Sequence, residues 1–375
     1  MKNAEKLKWA ATYGLVSALV SALGIASASA SADAVSDAKD FVAKLSAPNA
    51  PWSGPTTGPK ALPGKSIIYV STDQRNGGAR GAGEGVKAAA ARIGWTYKES
   101  DGQGSVAGRA TALNQAIASK PDVIVLGGID ATEQAAVIEE AAKQGIVVIG
   151  WHAYGKSGPH DKLPIFTNIT TDPLEVARAA ASYPCAELNG KVGAVIFTDS
   201  TYEIAVRKSN AMAEVIKACG DSKVLEIVDT PLADASNRMP QLTTSLLQRY
   251  GKQWTTSLSI NDLTFDFMAP SLSAAGLGGK DNPVAISAGD GSEVAFQRIR
   301  SGEYQAATVA EPLILQGWQI VDEANRALSK EKESGFVAPA HLFLVSNIGS
   351  DGGPKNIYDP GNGYADAYAK IWGVK

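Results

Sequence analysis

At 375 residues, with 45% hydrophobic and 19% charged positions, the chain has enough apolar content for two globular domains. A formal charge of −3 lacks the basic excess through which proteins hold phosphate backbones, so a nucleic-acid partner is not expected. Three scattered histidines, His152, His160 and His341, and two cysteines in another region form no zinc constellation.

Residues 1–32 read as an export signal. Lys2, Lys6 and Lys8 form a basic start, Trp9 to Ile25 an apolar stretch, and ASASASA offers small-x-small cleavage sites near Ala28, Ala30 or Ala32. Its removal takes away three Lys and Glu5, moving the formal charge from −3 to −5. No Cys stands near the cleavage site, so a lipid anchor is not expected. Residues 33–64 form an N-terminal extension: a short helix over Val35 to Leu45, then APNAPWSGPTTGPKALPG, too rich in Pro and Gly for regular structure. Trp52 is expected to pin this arm to a domain.

From Lys65 the pattern alternates strand and helix. Strands are predicted at Ser66–Ser71, Thr96–Glu99, Val123–Leu126, Ile146–Ile149, Phe166–Ile169, Val192–Phe197, Val224–Val228, Ser257–Asn261, Val284–Ser287, Ala306–Val309 and His341–Val345. Between them the spacing predicts helices over Gly81–Ile93, Val106–Ser119, Ala131–Gln144, Leu174–Glu187, Ile204–Ala218, Ser236–Tyr250, Phe265–Ala275, Ser292–Ser301 and Leu313–Ser329. Such alternation is the signature of parallel sheets covered by helices on both faces, and the count of strands gives two Rossmann-like lobes.

Gly81-Ala82-Gly83-Glu84-Gly85 resembles a dinucleotide fingerprint, but about ten residues separate it from its strand and no acidic residue is placed for a ribose. No cofactor is expected. Polar residues instead gather where strands end: Arg75 and Asn76 after the first strand, Asp130 after the third, and Trp151 and His152 after the fourth. Asp199, Tyr202 and Glu203 follow Val192–Phe197, with Arg207 and Lys208 a turn further on, while Asn261, Asp290 and Glu311 follow three later strands. Singly, each suits a helix cap or a solvated loop. Together they lie at the carboxyl ends of strands in both lobes, where open α/β folds bind ligands, and hydroxyl-rich ligands need such partners. Cys185 and Cys219 fall at the ends of predicted helices in one half of the chain. They are either buried thiols or, given export, a disulfide.

Taken in order, KSIIYVST, GEGVKAAAARIGW, LNQAIASKPDVIVLGGIDATEQAAVIEEAAKQGIVVIGW, TNITTDPLEVARAAA, LSIND, AISAGDGSEV and QAATVAEPLILQGWQIVDEANRALSKE resemble the ribose-type (type I) periplasmic solute-binding proteins of ABC transporters. The resemblance runs from Lys65 to about Leu344. It implies an N-lobe of 65–167 plus 312–334, a C-lobe of 168–311 plus 335–349 and a tail of 350–375. Hinge crossings are expected near Phe166–Thr170, Glu311-Pro312 and Gly335–Ala340.

Carried over by position, the family's ligand contacts fall on Asn261, Asp290, Glu311 and Lys208 or its neighbour Arg207. The first loop here reads RNGGARG, so Arg75 or Asn76 reaches the ligand but offers no ring. The Asp-Arg pair after the fourth strand is replaced by His152-Ala153, and a family glutamine at the crossover is Glu311. These departures lead away from ribose itself and leave a polyhydroxylated ligand, with Trp151 as its stacking surface.

The resemblance implies a monomeric periplasmic protein that closes on a monosaccharide or sugar alcohol and presents it to an inner-membrane ABC permease. A chemotaxis receptor is a further partner it allows. Rival readings are an amine or nucleoside-like ligand held by Asp290, Glu311 and Trp151, and an exported glycosidase using Asp290 and Glu311 as its carboxylates.

Overall fold

The structure, a computed structural model, describes residues 33–352 and 355–375. The expected export signal lies outside the described residues. A first sheet forms from β1 (Ser66–Ser71), β2 (Thr96–Asp101), β3 (Val123–Gly127), β4 (Val147–Trp151) and the short β5 (Asn168–Ile169). The order is β2-β1-β3-β4-β5, all parallel. Every residue of β3 is buried, because helices cover both faces of a central parallel strand, whereas the edge strand β2, TYKESD, is largely exposed.

The second sheet contains β6 (Gly193–Thr198), β7 (Lys223–Asp229), β8 (Thr256–Ser259), β9 (Val284–Ser287), β10 (Gln305–Ala310) and β11 (His341–Leu344), ordered β11-β10-β9-β8-β6-β7. Its edge strand β11 is antiparallel to β10, a departure from the all-parallel lobes expected from the pattern. The chain reaches β11 on its return from the first lobe, so it enters from the opposite end of the sheet.

The helices are α1 (residues 33–45), α2 (Gly77–Ile93), α3 (Val106–Ala118), α4 (Ala135–Lys143), α5 (Pro173–Glu187), α6 (Glu203–Ala218), α7 (Ala235–Tyr250), α8 (Ala269–Ala274), α9 (Glu293–Ser301), α10 (Leu313–Leu328) and α11 (Tyr364–Trp372). None of the described helices is long and apolar enough to cross a membrane.

Helix α2 begins four residues before the predicted start, because Asn76 accepts the Gly78 and Ala79 amides and nucleates it ahead of the glycines. Helix α4 begins four residues late, since Asp130 draws the Thr132 and Glu133 amides into a turn. The helix predicted over 265–275 divides into a 3-10 turn, Asp262–Phe267, and α8, with Pro270 in the first turn of the latter. The glycines of GAGEG serve packing. A Cβ on Gly85 would lie 2.5 Å from the Ile314 carbonyl oxygen, and one on Gly317 would lie 2.3 Å from Gly85 C, so α2 and α10 touch backbone to backbone.

The chain passes between the lobes at residues 170–172, 311–312 and 329–340. The boundary expected after residue 167 falls too early, because β5 still pairs with β4 in the first sheet.

Two further segments also bridge the lobes. Helix α1 packs on the second lobe through Phe41, Val42 and Leu45, and Ala38 lies against the Cys185–Cys219 disulfide, whose Cα atoms are 6.0 Å apart. The arm then crosses to the first lobe. There Trp52 packs on Phe336 and Tyr368 with ring centroids 5.1 and 5.3 Å away, Arg326 donates to the Thr57 carbonyl at 2.6 Å and Asn325 accepts the Leu62 amide at 3.1 Å. The tail retraces this path. Ile348 and Tyr358 pack with Phe296 and Phe343 on the second lobe, and α11 then stacks Trp372 on Trp318 of the first, with centroids 5.6 Å apart. Tyr358 donates to Asn49 at 2.9 Å, tying tail to arm.

The third crossing is held by Glu323 of α10, which accepts the Ser334 amide at 3.1 Å and the Ser334 hydroxyl. Burial pushes its carboxyl up to about 7, against the opposing pull of the Ser334 bonds.

Two predictions follow from these attachments. Trp52→Ala should lower unfolding free energy by about 2 kcal/mol, read from urea denaturation, because a large ring leaves a shared aromatic cluster; an unchanged midpoint would mean that the arm is not anchored there. For Glu323 the folded pKa lies above the unfolded one, so its contribution is full below about pH 4.5 and is lost as pH rises through about 7. Glu323→Gln should therefore remove on the order of 3 kcal/mol of pH-dependent destabilisation between those limits, seen as a flatter plot of melting temperature against pH than wild type gives.

Candidate functional site

Strands β1, β3 and β4 of one lobe and β6, β8 and β9 of the other end in loops that meet in a cleft. Its first-lobe wall comprises Thr72, Asp73, Asn76, Gly104, Gly128, Trp151 and His152. The second lobe supplies an apolar stretch, Ile204, Ala205, Leu232, Ala233, Ile260 and Leu263, and the polar Tyr202, Lys208, Asn261 and Asp290. The space between the two walls, counted together with the solvent at its mouth, is about 660 Å³.

Asp290 follows β9 and is 4% exposed. Asn261, which caps the 3-10 turn by accepting the Leu263 amide, donates to Asp290 Oδ2 at 2.7 Å. The loop carrying Asp290 is held from below by Asp262, which accepts the Gly291 and Ser292 amides at 2.8 and 3.0 Å. Helix α2 starts against this carboxylate: a Cβ on Gly78 would sit 2.1 Å from Asp290 Oδ2, so only glycine fits. Burial raises the Asp290 carboxyl above its ordinary range, opposed by His152 and Lys208 and reinforced by Glu311.

Glu311 has no solvent exposure and does not line the cleft. It sits behind the wall. Its Oε2 meets His152 Nε2 at 2.9 Å, accepts the Thr171 amide at 3.1 Å and accepts from Gln316 Nε2 at 2.9 Å. Its Oε1 has no hydrogen-bond partner among the described residues and lies 3.7 Å from the Lys208 ammonium, which donates to the Ala288 carbonyl at 2.8 Å. Burial alone would raise this carboxyl, but His152, Lys208 and Gln316 outweigh it and hold it well below the usual carboxylate range. Two buried carboxylates a few ångströms apart are thus pushed in opposite directions.

Trp151 does reach the cleft wall, but it is 1% exposed and its ring stacks on His152 with centroids 4.0 Å apart. A left-handed backbone at His152, φ 51°, turns the chain after β4 and brings the two rings face to face. The indole N–H donates to Gln316 at 2.8 Å. Trp151 therefore buttresses His152, and the free stacking face expected from the sequence is covered on that side.

Three other expected contacts point elsewhere. Arg75 is captured by Asp73, Nη2 to Oδ2 at 2.6 Å, and remains largely exposed. Arg207 turns outward beside Glu203, because one step along α6 rotates the side chain away from the face that buries Lys208. Asp130 does not line the cleft, and its Oδ2 accepts the Glu203 amide at 3.1 Å. Asn76, His152, Tyr202, Lys208, Asn261 and Asp290 are brought together. Thr72 and Asp73 escaped the sequence reading although they directly follow β1, and the strand-end rule applied one step earlier would have found them.

Ligand atoms of His152, Asp290 and Glu311 lie within 4.8 Å of one another, a spacing a metal ion could bridge. Lys208 already supplies a positive charge to this cluster, 3.7 Å from Glu311.

Similar structures share the fold. A solute-binding protein of an ABC transporter from Agrobacterium vitis, bound with α-D-tagatopyranose, matches with TM-score 0.67 at 18% identity over 78% of this chain and 99% of that one. The binding component of the arabinose ABC transporter from Shewanella sp. ANA-3, bound to α- and β-L-arabinofuranose, gives 0.65 at 18% identity, covering 82% and 95%. A second Agrobacterium vitis protein, with bound allitol, gives 0.62 at 21% identity, covering 76% and 97%. No curated protein matches the sequence. Residues 67–332, well over half of the chain, match the model of the periplasmic binding protein domain, and the chain belongs to that family, with its two-lobed type I fold.

Proposed function

We propose that this protein is exported to the periplasm, captures a monosaccharide or sugar alcohol between its lobes and delivers it to an ABC importer. The observation that carries this reading is the composition of the cleft wall. Asn76, His152, Lys208, Asn261 and Asp290 are polar, come from both lobes and line the cleft together with an apolar second-lobe stretch. Hydroxyl groups need paired donors and acceptors when they leave water, and C–H faces need apolar contact. The bound sugars and polyol of the similar structures support the same class.

The amine reading is less well supported, because Lys208 places a positive charge in the wall beside Asp290. The glycosidase reading pairs Asp290 with Glu311, which lies behind His152, away from the cleft, and the other carboxylate of the wall, Asp73, is held by Arg75. Recognition without chemistry fits both facts.

A thermal-shift panel of pentoses, hexoses, hexitols, amines and nucleosides tests the class. One group of sugars or polyols is expected to raise the melting temperature by several degrees through mass action, and silence from all of them would overturn the reading. In the same assay Asp290→Asn is expected to weaken binding of the best ligand about tenfold or more while leaving the unliganded fold intact. Unaltered affinity would put the ligand elsewhere.

A further inference from the structure

Helix α6 of the second lobe begins without a cap of its own. Its N-cap residue is Tyr202, whose side chain makes no capping bond. Tyrosine cannot fold back onto the first-turn amides as Ser, Asp or Asn does. The missing acceptor comes from the other lobe: Asp130, in the loop after β3, takes the Glu203 amide on Oδ2 at 3.1 Å. Its Oδ1 meanwhile holds the Thr132 and Glu133 amides of its own loop at 2.9 and 3.2 Å, which fixes the carboxylate in place. A first-lobe carboxylate thus faces the positive end of a second-lobe helix dipole.

The neighbouring side chain docks beside it. The Tyr202 hydroxyl lies 3.1 Å from Thr72 Oγ1 and accepts from Arg109 Nη1 at 3.3 Å, both first-lobe groups. Arg109 is 2% exposed, is clamped by Glu133 and lies over the Tyr202 ring, 5.6 Å from its centroid. Glu133 is the same residue whose amide Asp130 holds. Asp130, Glu133, Arg109 and Thr72 therefore form one continuous receptor for the Tyr202-Glu203 dipeptide.

We propose that this receptor and dipeptide are an interlobe latch, which sets the balance of open and closed forms and hence ligand affinity, with Asp130 acting through closure alone. The latch is made of protein groups only, so it operates whatever the cleft binds. Opening would leave α6 uncapped and Arg109 without its Tyr202 partner, and both groups would have to turn to water.

The full chain without added ligand tests this. Small-angle X-ray scattering compares wild type with Asp130→Ala, Tyr202→Phe and the double variant. Tyr202→Phe removes one oxygen and keeps the ring. Each single change is expected to lower the closed-to-open ratio about fivefold, the effect of a lost cap or buried hydrogen bond. The radius of gyration should rise in each variant and most in the double one, while wild type matches the closed structure. A role confined to local stability would lower the melting temperature without changing the scattering curve. Curves that superimpose for wild type and all variants overturn the proposal. If Asp130→Ala fails to fold, Tyr202→Phe alone decides between expansion and no change.

Discussion

The structure around the cleft depends on one charge kept out of water. Glu311 stands where the chain leaves β10 for the other lobe, and burying its carboxylate is tolerated only because His152, the Thr171 amide, Gln316 and Lys208 surround it. These partners come from different parts of the fold. His152 follows β4 of the first sheet, Thr171 lies in the first crossing, Gln316 is on α10 and Lys208 is on α6. One anion therefore fixes the orientation of groups in both cleft walls. The chain reaches through Gln316 to Trp151, and through Trp151 to the stacked face of His152. The ring nitrogen His152 presents toward Asp290, 3.9 Å away, is placed from behind by this carboxylate.

Much of this arrangement is legible in the sequence, for reasons that differ by residue. The alternation of short apolar runs and amphipathic helices reveals the lobes, since a strand buried on both faces must be apolar throughout, as VIVLG is. The rule that ligands gather beyond the carboxyl ends of parallel strands finds Asn76, His152, Tyr202, Lys208, Asn261 and Asp290. The rule cannot say which strand-end groups face inward. Arg75 is diverted by an aspartate two residues away, Arg207 by one step of helical rotation, and Glu311 by a crossover that buries it one layer deeper. Each outcome depends on three-dimensional neighbours that no local pattern encodes.

Two glycine-rich stretches make the same point. GAGEG has the composition of a nucleotide loop and the position of a helix interior, and position decides: Gly85 is there because α10 approaches the α2 backbone at Gly317. In RNGG, Gly77 and Gly78 look like a flexible loop, yet they form the first residues of α2 and leave room for Ser292 and Asp290 of the opposite lobe. The Pro- and Gly-rich arm carries no periodicity, and the tail shows helical spacing only over Tyr364, Tyr368, Ile371 and Trp372, so the paths of both across the lobes follow from aromatic contacts at Trp52, Tyr368 and Trp372 that only the fold reveals.

The same contacts bear on how such a cleft could hold a ligand tightly. Affinity is what remains of the ligand contacts after the protein has been ordered around them. With the lobes in contact as here, the wall is already ordered: Asn261 is bonded to Asp290, His152 to Glu311 and Lys208 to the Ala288 carbonyl. A hydroxyl-bearing ligand would thus meet donors and acceptors fixed in place, with little side-chain entropy left to lose. Arm, tail and three crossings all span both lobes, and the proposed latch joins them at Asp130 and Glu203. With the wall preset and the lobes bridged, the main quantity left to vary is the fraction of molecules that are closed, and apparent affinity scales with that fraction. A residue remote from the ligand can then tune binding as effectively as one in contact with it, which gives a physical reason for a helix whose cap lies in the opposite lobe.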